Sequence, residues 1–334
     1  MPWQLAARRA NASVRVMDVR DDGHLRLDQL DALLSKRTKM VTFPHVSNVL
    51  GAINPAKEIC ERAHKAGTVV LVDAAQSAPH FPVDVQELGC DFLALSGHKM
   101  CGPMGIGVLW ARRELLDAMP PFQAGSNMAH EVAIESVPAH SADGGLKFEA
   151  GTPNVPGTVG LGAAIRFLES LSRKQMWDRE QELTRYVLSR FKELKRIRPL
   201  GPAKSDERIS VFSFVVENRK PLDVAATLDE MGIAVRAGDL ASLPLLKKFG
   251  TDAAVRASCY LYTTNEDIDR LVAGLQRIDQ RAVCVDLFGW RGASAIQPPR
   301  QNLGGFGRYW TQLSGRPLIA TVQHKWSQGC PTSF

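Results

Sequence analysis

Nowhere in the 334 residues is there an apolar run near the roughly 18 residues that a membrane-spanning helix needs. The opening residues, Met-Pro-Trp-Gln-Leu-Ala-Ala-Arg-Arg, lack the basic-then-apolar order of a secretory signal. A soluble, cytoplasmic protein is therefore expected. The six cysteines (Cys60, Cys90, Cys101, Cys259, Cys284 and Cys330) show no paired spacing, so neither a zinc site nor a disulfide framework is indicated and free thiols are expected. A basic stripe is missing too. The net charge is +6, but residues 281–334 carry six Lys/Arg against one acid, Asp286, so +5 of it belongs to that stretch. The remainder is close to neutral and offers no electrostatic footprint for a nucleic acid.

What is present is core-forming material. Hydrophobic residues make up 45% of the chain, enough for a large core in more than one domain. The run Val69-Val70-Leu71-Val72 closes on Asp73, the pattern of a buried parallel strand that carries an acid at its carboxyl end. Residues 91–107 pass from a short apolar strand into a polar turn and a glycine-rich loop, with Lys99 in the turn beside His98 and Ser96. A desolvated or cation-flanked lysine gives up its proton more readily and can attack a carbonyl. An amine for a carbonyl cofactor, and an acid for a pyridine nitrogen 26 residues earlier, are the pair that pyridoxal 5'-phosphate chemistry requires, because the protonated ring is its electron sink.

Five motifs carry a wider likeness: His45-Val46-Ser47-Asn48-Val49-Leu50-Gly51, Val72-Asp73-Ala74-Ala75-Gln76, Ser96-Gly97-His98-Lys99, Phe148-Glu149-Ala150-Gly151-Thr152-Pro153-Asn154 and Val255-Arg256-Ala257-Ser258. With these in order, the chain from Met1 to about Asp279 resembles the class V aminotransferase-fold enzymes of the SufS-like cysteine desulfurase and selenocysteine lyase type. The resemblance implies an aspartate-aminotransferase-type fold, with a large α/β domain (residues 1–165), a linker helix with a small α+β domain (166–280) and an unassigned tail (281–334). It implies pyridoxal 5'-phosphate held as an imine by Lys99, which also moves the substrate proton. Asp73 would pair with the ring nitrogen, Gln76 with the ring phenolate oxygen, and Ser96 and His98 with the phosphate. Thr152 would reach the phosphate of a neighbouring subunit, which implies a homodimer. Asn48 and Arg256 would clamp the substrate carboxylate, a task suited to the guanidinium fork.

Periodicity supplies the remaining elements. Strands are expected over 14–19 and 39–43 around a helix near 27–34, and a helix after Asn54 as N-cap and Pro55, closed by Gly67. Ile106 to Trp110 is expected as a strand and 121–147 as a mobile loop. Helices follow over Thr158–Leu171, where Gly160 and Gly162 suggest close packing, and over 174–197. Beyond these come strand Ile209–Val216, helix Asp223–Met231, strands Ile233–Arg236 and Val255–Tyr260, and a helix from Asn265 to Asp279 with a Thr264/Asp267 capping box.

Two departures from the family pattern set the functional expectation. Where desulfurases of this branch carry His-His-Cys, the chain reads Asp239-Leu240-Ala241. A methyl group cannot take the place of the thiolate that accepts sulfur as a persulfide, so impaired persulfide formation is expected. Cys259, in a strand pattern, is expected to be a core residue. The match also begins part-way into the family's large domain, without the phosphate-cradling turn and the ring-stacking histidine. The leading reading is a cysteine desulfurase/selenocysteine lyase-like enzyme acting on a small amino acid, with a sulfur-acceptor protein as a further partner. The rival is a non-catalytic remnant or partner subunit that retains the dimer surface.

Overall fold

A computed structural model of the chain describes residues 2–126, 128 and 145–288, with side chains through 279. Helix α1 (Pro2–Arg9) precedes an extended segment, and α2 is the short Leu30–Leu33. Strand β1 (Met40–Pro44), α3 (Ala56–Lys65), β2 (Val69–Asp73), α4 (Ser77–His80), α5 (Val85–Leu88), β3 (Phe92–Ser96), β4 (Gly107–Ala111) and α6 (Arg113–Ala118) follow. After the stretch that contains residues 129–144, the chain continues with α7 (Val155–Ser170), α8 (Arg173–Phe191), β5 (Ile197–Leu200), β6 (Val211–Val216), α9 (Pro221–Glu230), β7 (Arg236–Gly238), α10 (Leu243–Lys248), β8 (Ala254–Ser258) and α11 (Asn265–Phe288).

The strands form two sheets. The first has order β1-β2-β3-β4, with β1, β2 and β3 parallel and β4 antiparallel. Its core packs α3 residues Ile59, Cys60 and Ala63 against Val70 and Val72 of β2. The second, order β5-β6-β8-β7, is antiparallel throughout. Alternation along β6 sends Phe212, Phe214 and Val216 into a cluster with Val187 and Phe191 of α8 and Leu271, Val272 and Leu275 of α11. Burying each such phenylalanine contributes about 1.5–3 kcal/mol. The opposite face of β6 meets the loop after β1: Ser213 Oγ donates to the Val49 carbonyl at 2.6 Å.

Several expectations need correction. Residues 14–19 form no strand; only a bridge from Val19 to Leu25 is present, and the helix near 27–34 is a 3-10 turn running into α2. Asn54 does not cap α3. Its Nδ2 donates instead to the Pro44 carbonyl at 2.7 Å, a buried partner offered by β1 that no local pattern announces. The helix expected over 174–197 stops at Phe191, and β5 begins at Ile197 because it pairs with β6. Helices α1, α4, α5, α6 and α10 were not anticipated, and the strand expected over Ile233–Arg236 is instead β7, which begins at Arg236 where it pairs with β8. Gly160 packs as expected, since a Cβ there would meet the Pro103 ring at 3.0 Å, whereas Gly162 would meet only the Arg166 side chain. The Thr264/Asp267 capping box is present in both directions, at 3.0 and 3.2 Å. Cys60, Cys90, Cys101 and Cys259 are free thiols. Cys284 and Cys330 lie outside the described side chains, and most of the stretch 121–147 lies outside the described residues. Residues 284–334 form a separate unit, of which only the end of α11 is described. No helix among the described residues is long and apolar enough to cross a membrane.

Candidate active site

The carboxyl ends of β2 and β3 lie side by side, with Asp73 in register with Ala94. In open α/β sheets this is the end at which ligands bind. Asp73 is exposed there, and its Oδ1 accepts the Ala75 N–H at 2.9 Å. Gln76 follows at the entry to α4, half-buried.

β3 ends on Ser96 and turns through a 3-10 segment, Gly97–Lys99. The turn is rigid because glycine allows it to pack on backbone. Gly97 N donates to the Ile106 carbonyl, and Met100 N and Gly102 N both donate to the Gly97 carbonyl. A Cβ at Gly97 would stand 2.8 Å from the Ile106 side chain, and one at Gly102 would stand 2.8 Å from the Gly97 oxygen. Lys99, half-buried, makes no hydrogen bond or ion pair with the described residues. Burial pulls its ammonium below the usual lysine range and Arg256 adds to this, while the nearby Asp73 carboxylate opposes it. That balance favours an amine able to act as nucleophile.

The third wall is the loop of residues 45–54. His45 N donates to the Asp73 carbonyl, which fixes the start of the loop beside the acid. Ser47 Oγ then accepts from Val49 N and Leu50 N, and Gly51, at φ +69°, lets the chain pass where a Cβ would lie 2.7 Å from the Val211 oxygen. Asn48 is thereby presented to the second sheet. Its backbone oxygen accepts Arg256 Nη1 at 2.9 Å, and its Nδ2 donates to the Leu240 carbonyl at 3.3 Å. Arg256 Nε is buried with no partner, and burial pulls this guanidinium below its usual range. A planar cation with a free donor is suited to a carboxylate.

Asp73, Lys99, Asn48 and Arg256 are thus brought together, and Ser96 and His98 flank Lys99 on its turn. Thr152 is exposed ahead of α7 and, among the described residues, makes no side-chain hydrogen bond with any of them. Sequence reasoning missed the part played by the turn after β7. Leu240 and Ala241 both take left-handed φ values, 51° and 55°, and Asp239 Oδ1 accepts Ala241 N at 3.1 Å. Leu240 is buried with Val49 and Leu50, so its carbonyl faces Asn48, while Ala241 is exposed. Asp-Leu-Ala-Ser carries no glycine to announce such a turn. Cys259 is buried as expected, and its thiol is pushed up to about 12, by burial first and then by Glu180 and Asp267.

His45, beside Asp73, is buried against Phe81, and burial alone pulls its imidazole down to about 4 from an ordinary 6.5. The unfolded chain therefore binds a proton that the folded chain refuses between those two values. The contribution of a neutral His45 is complete above pH 6.5 and is lost as pH falls towards 4, by about 3 kcal/mol in all. Urea midpoints should drop between pH 7 and pH 5, and His45→Gln should flatten that drop; equal slopes for the two proteins would refute the assignment.

Comparison with known proteins places this geometry in a family. The aminotransferase class-V profile matches residues 1–271. A probable cysteine desulfurase of Streptomyces coelicolor is 46% identical over 281 residues, covering 83% of this chain and 66% of the relative. A cysteine desulfurase of Pectobacterium carotovorum is 44% identical over 278 residues, covering 83% of this chain and 67% of its own length. The chain thus spans about two thirds of the length of these curated relatives. Among solved structures, an apo cysteine desulfurase from Thermococcus onnurineus superposes with a TM-score of 0.79 at 35% identity, and the cysteine desulfurase CsdA of Escherichia coli with 0.79 at 36%; each comparison covers 84% of this chain and 69% of the other. With its fold, its motifs and four fifths of its length in agreement, the chain belongs to the aminotransferase class-V family, the one that includes these cysteine desulfurases.

Proposed function

We propose that the chain is a pyridoxal 5'-phosphate-dependent enzyme that cleaves a heteroatom from the β-carbon of a small amino acid, in the manner of a cysteine desulfurase or selenocysteine lyase but without efficient persulfide formation. The observation that carries the reading is the convergence of Lys99, Asp73 and the Asn48–Arg256 pair at one end of the first sheet. The residues fit the cofactor: a half-buried amine with no hydrogen bond among the described residues, an exposed acid at an adjacent strand end, hydroxyl and imidazole groups on the turn that carries the amine, and a buried guanidinium nitrogen unpartnered among the described residues. When bound, the cofactor supplies the electron sink for a carbanion at Cα.

The chain's own residues would do the rest. Lys99 holds the cofactor and, as a base of lowered pKa, takes the Cα proton and returns it. Asp73 keeps a proton on the ring nitrogen. Gln76 orients the ring oxygen, and Ser96 and His98 hold the phosphate. Arg256, steadied by the Asn48 carbonyl, fixes the substrate carboxylate and so the bond to be broken. Ala241 stands exposed on its left-handed turn where a thiol would receive sulfur, and Cys259 is too buried and too weakly acidic to replace it. Sulfur release from cysteine should therefore be slow, whereas selenide, a better leaving group, needs less help. The reading includes a cytoplasmic homodimer in which Thr152 serves the partner's site, and a sulfur-acceptor protein as an occasional partner.

A single preparation tests it. Purified chain given pyridoxal 5'-phosphate should develop visible absorbance, scatter light as a dimer, and release selenide from selenocysteine faster than sulfide from cysteine. Ala241→Cys should raise sulfide release at least tenfold in the presence of a reductant. Sulfide release by the parent chain that Ala241→Cys does not exceed would refute the role given to position 241.

A further inference from the structure

A pocket of about 420 Å³ lies between α4, the junction of α7 with α8 and the residues after β8, and none of the residues placed at the candidate active site lines it. Its walls are largely apolar, from Phe167, Leu171, Met176 and Leu183. The polar groups along them are mostly spent. Ser170 Oγ donates to the Phe167 carbonyl, Ser172 Oγ accepts the Gln175 N–H, and the Tyr260 hydroxyl donates to the Pro79 carbonyl at 3.2 Å. Arg179 is drawn off by Glu182, Asn265 Oδ1 and the Thr263 carbonyl. His80 differs. It is 7% exposed, its ring stands edge-on to Tyr260, and Nδ1 lies 3.1 Å from Glu180 Oε1. The alignment is too poor for a hydrogen bond, so charge holds this contact, while Glu180 takes the Ser210 N–H at 2.6 Å. A carboxylate on that side keeps the imidazole proton on Nδ1. Nε2 is left with a free lone pair and no partner among the described residues.

We propose that this pocket binds a neutral, flat molecule with one hydroxyl, which donates its hydrogen bond to His80 Nε2 while the apolar body lies against Phe167, Met176 and Leu183. Neutrality follows from the wall. Its two charged groups, Arg179 and Glu180, are already matched by Glu182 and by His80 with the Ser210 N–H, so a ligand charge would find no counterpart. A flat body follows from the company of Phe167, Tyr260 and the Met176 sulfur, all of which pack well on rings. The volume falls in the usual range for small-molecule sites, roughly 300–1,000 Å³. The hydroxyl follows from Nε2, because a site built to bond a hydroxyl rejects the analogue that leaves its polar atom unpaired.

The test uses 2-naphthol and 2-methoxynaphthalene, which share a flat body and differ in the hydroxyl donor. Titrated at pH 8 into the full chain and followed by their fluorescence, 2-naphthol should bind at least about tenfold more tightly. His80→Phe should bring the two compounds within about twofold of each other. That variant loses a partner of buried Glu180, so a second one guards against misfolding. Met176→Trp fills the pocket from α8 and leaves His80 and Glu180 in place; it should remove the binding of both compounds while the far-ultraviolet circular dichroism stays that of the parent. Equal affinities in the parent chain, no measurable binding of 2-naphthol, or binding that survives Met176→Trp in a folded chain would each overturn the proposal. Neither compound carries a carbonyl or an amine, so the outcome stands whether or not the chain takes up pyridoxal 5'-phosphate, and the cofactor reading is judged separately by the visible absorbance.

Discussion

Replacing Lys99 with alanine should abolish the visible absorbance that the chain develops with pyridoxal 5'-phosphate, and should do so without loss of fold. Among the described residues the lysine makes no hydrogen bond or ion pair that the fold would miss. Its turn is held by the backbone bonds of Gly97, Met100 and Gly102, which an alanine at 99 leaves in place. Other lysines are poorly suited to replace it. Lys147 is buried with Nζ on the Asp117 carbonyl, and Lys248 is paired with Asp18 at 2.8 Å. Lys99 is the one whose basicity is lowered by burial beside an acid at a strand end. Borohydride reduction and peptide mapping of the parent chain should accordingly place the pyridoxyl group on Lys99. A band of undiminished intensity in Lys99→Ala, with the label on another lysine, would remove the assignment.

The second large effect is expected far from the amine. Glu180 of α8 is 5% exposed, accepts the Ser210 N–H at 2.6 Å and lies 3.1 Å from His80 Nδ1. Burial pushes its carboxyl up, but His80 and the Ser210 N–H outweigh burial and hold it below its usual range. This one carboxylate ties α4, which follows Asp73, to α8 and to the start of β6. Glu180→Ala leaves a buried backbone N–H and a buried imidazole without their partner, and removing one side of a buried pair costs about 3–5 kcal/mol. Glu180→Gln keeps an acceptor for Ser210 and should cost roughly half as much. Urea denaturation of the two variants measures both values. A Glu180→Ala midpoint close to that of the parent would show that the contact carries no stability.

The site was legible where its groups are local in sequence. A β-branched run ending on Asp73, and a lysine on a bend of small residues, can be read because strand and turn chemistry act over a few positions. Asn48 and Arg256 were assigned only through motif resemblance, since nothing in spacing says that residues 208 apart will share a hydrogen bond. The register that sets Arg236 opposite Arg256 was illegible for the same reason: it is a property of a pair of strands. Among the elements, the misreadings arise where a distant partner outbids a local one. Asn54 has the character of an N-cap but finds the Pro44 carbonyl, and the helical pattern beyond Phe191 yields to pairing of β5 with β6.

The stitching of residue 48 to residues 240 and 256, across 192 and 208 positions, also orders the site in time. Contacts of such separation close late, because the intervening chain must first be confined. During synthesis at roughly 5–20 residues per second, about 8–30 s pass between the emergence of Lys99 and that of Arg256. Strands β2 and β3 and the lysine turn require only their neighbours in sequence, so the growing chain can order Asp73 and Lys99 beside one another before Arg256 has been made.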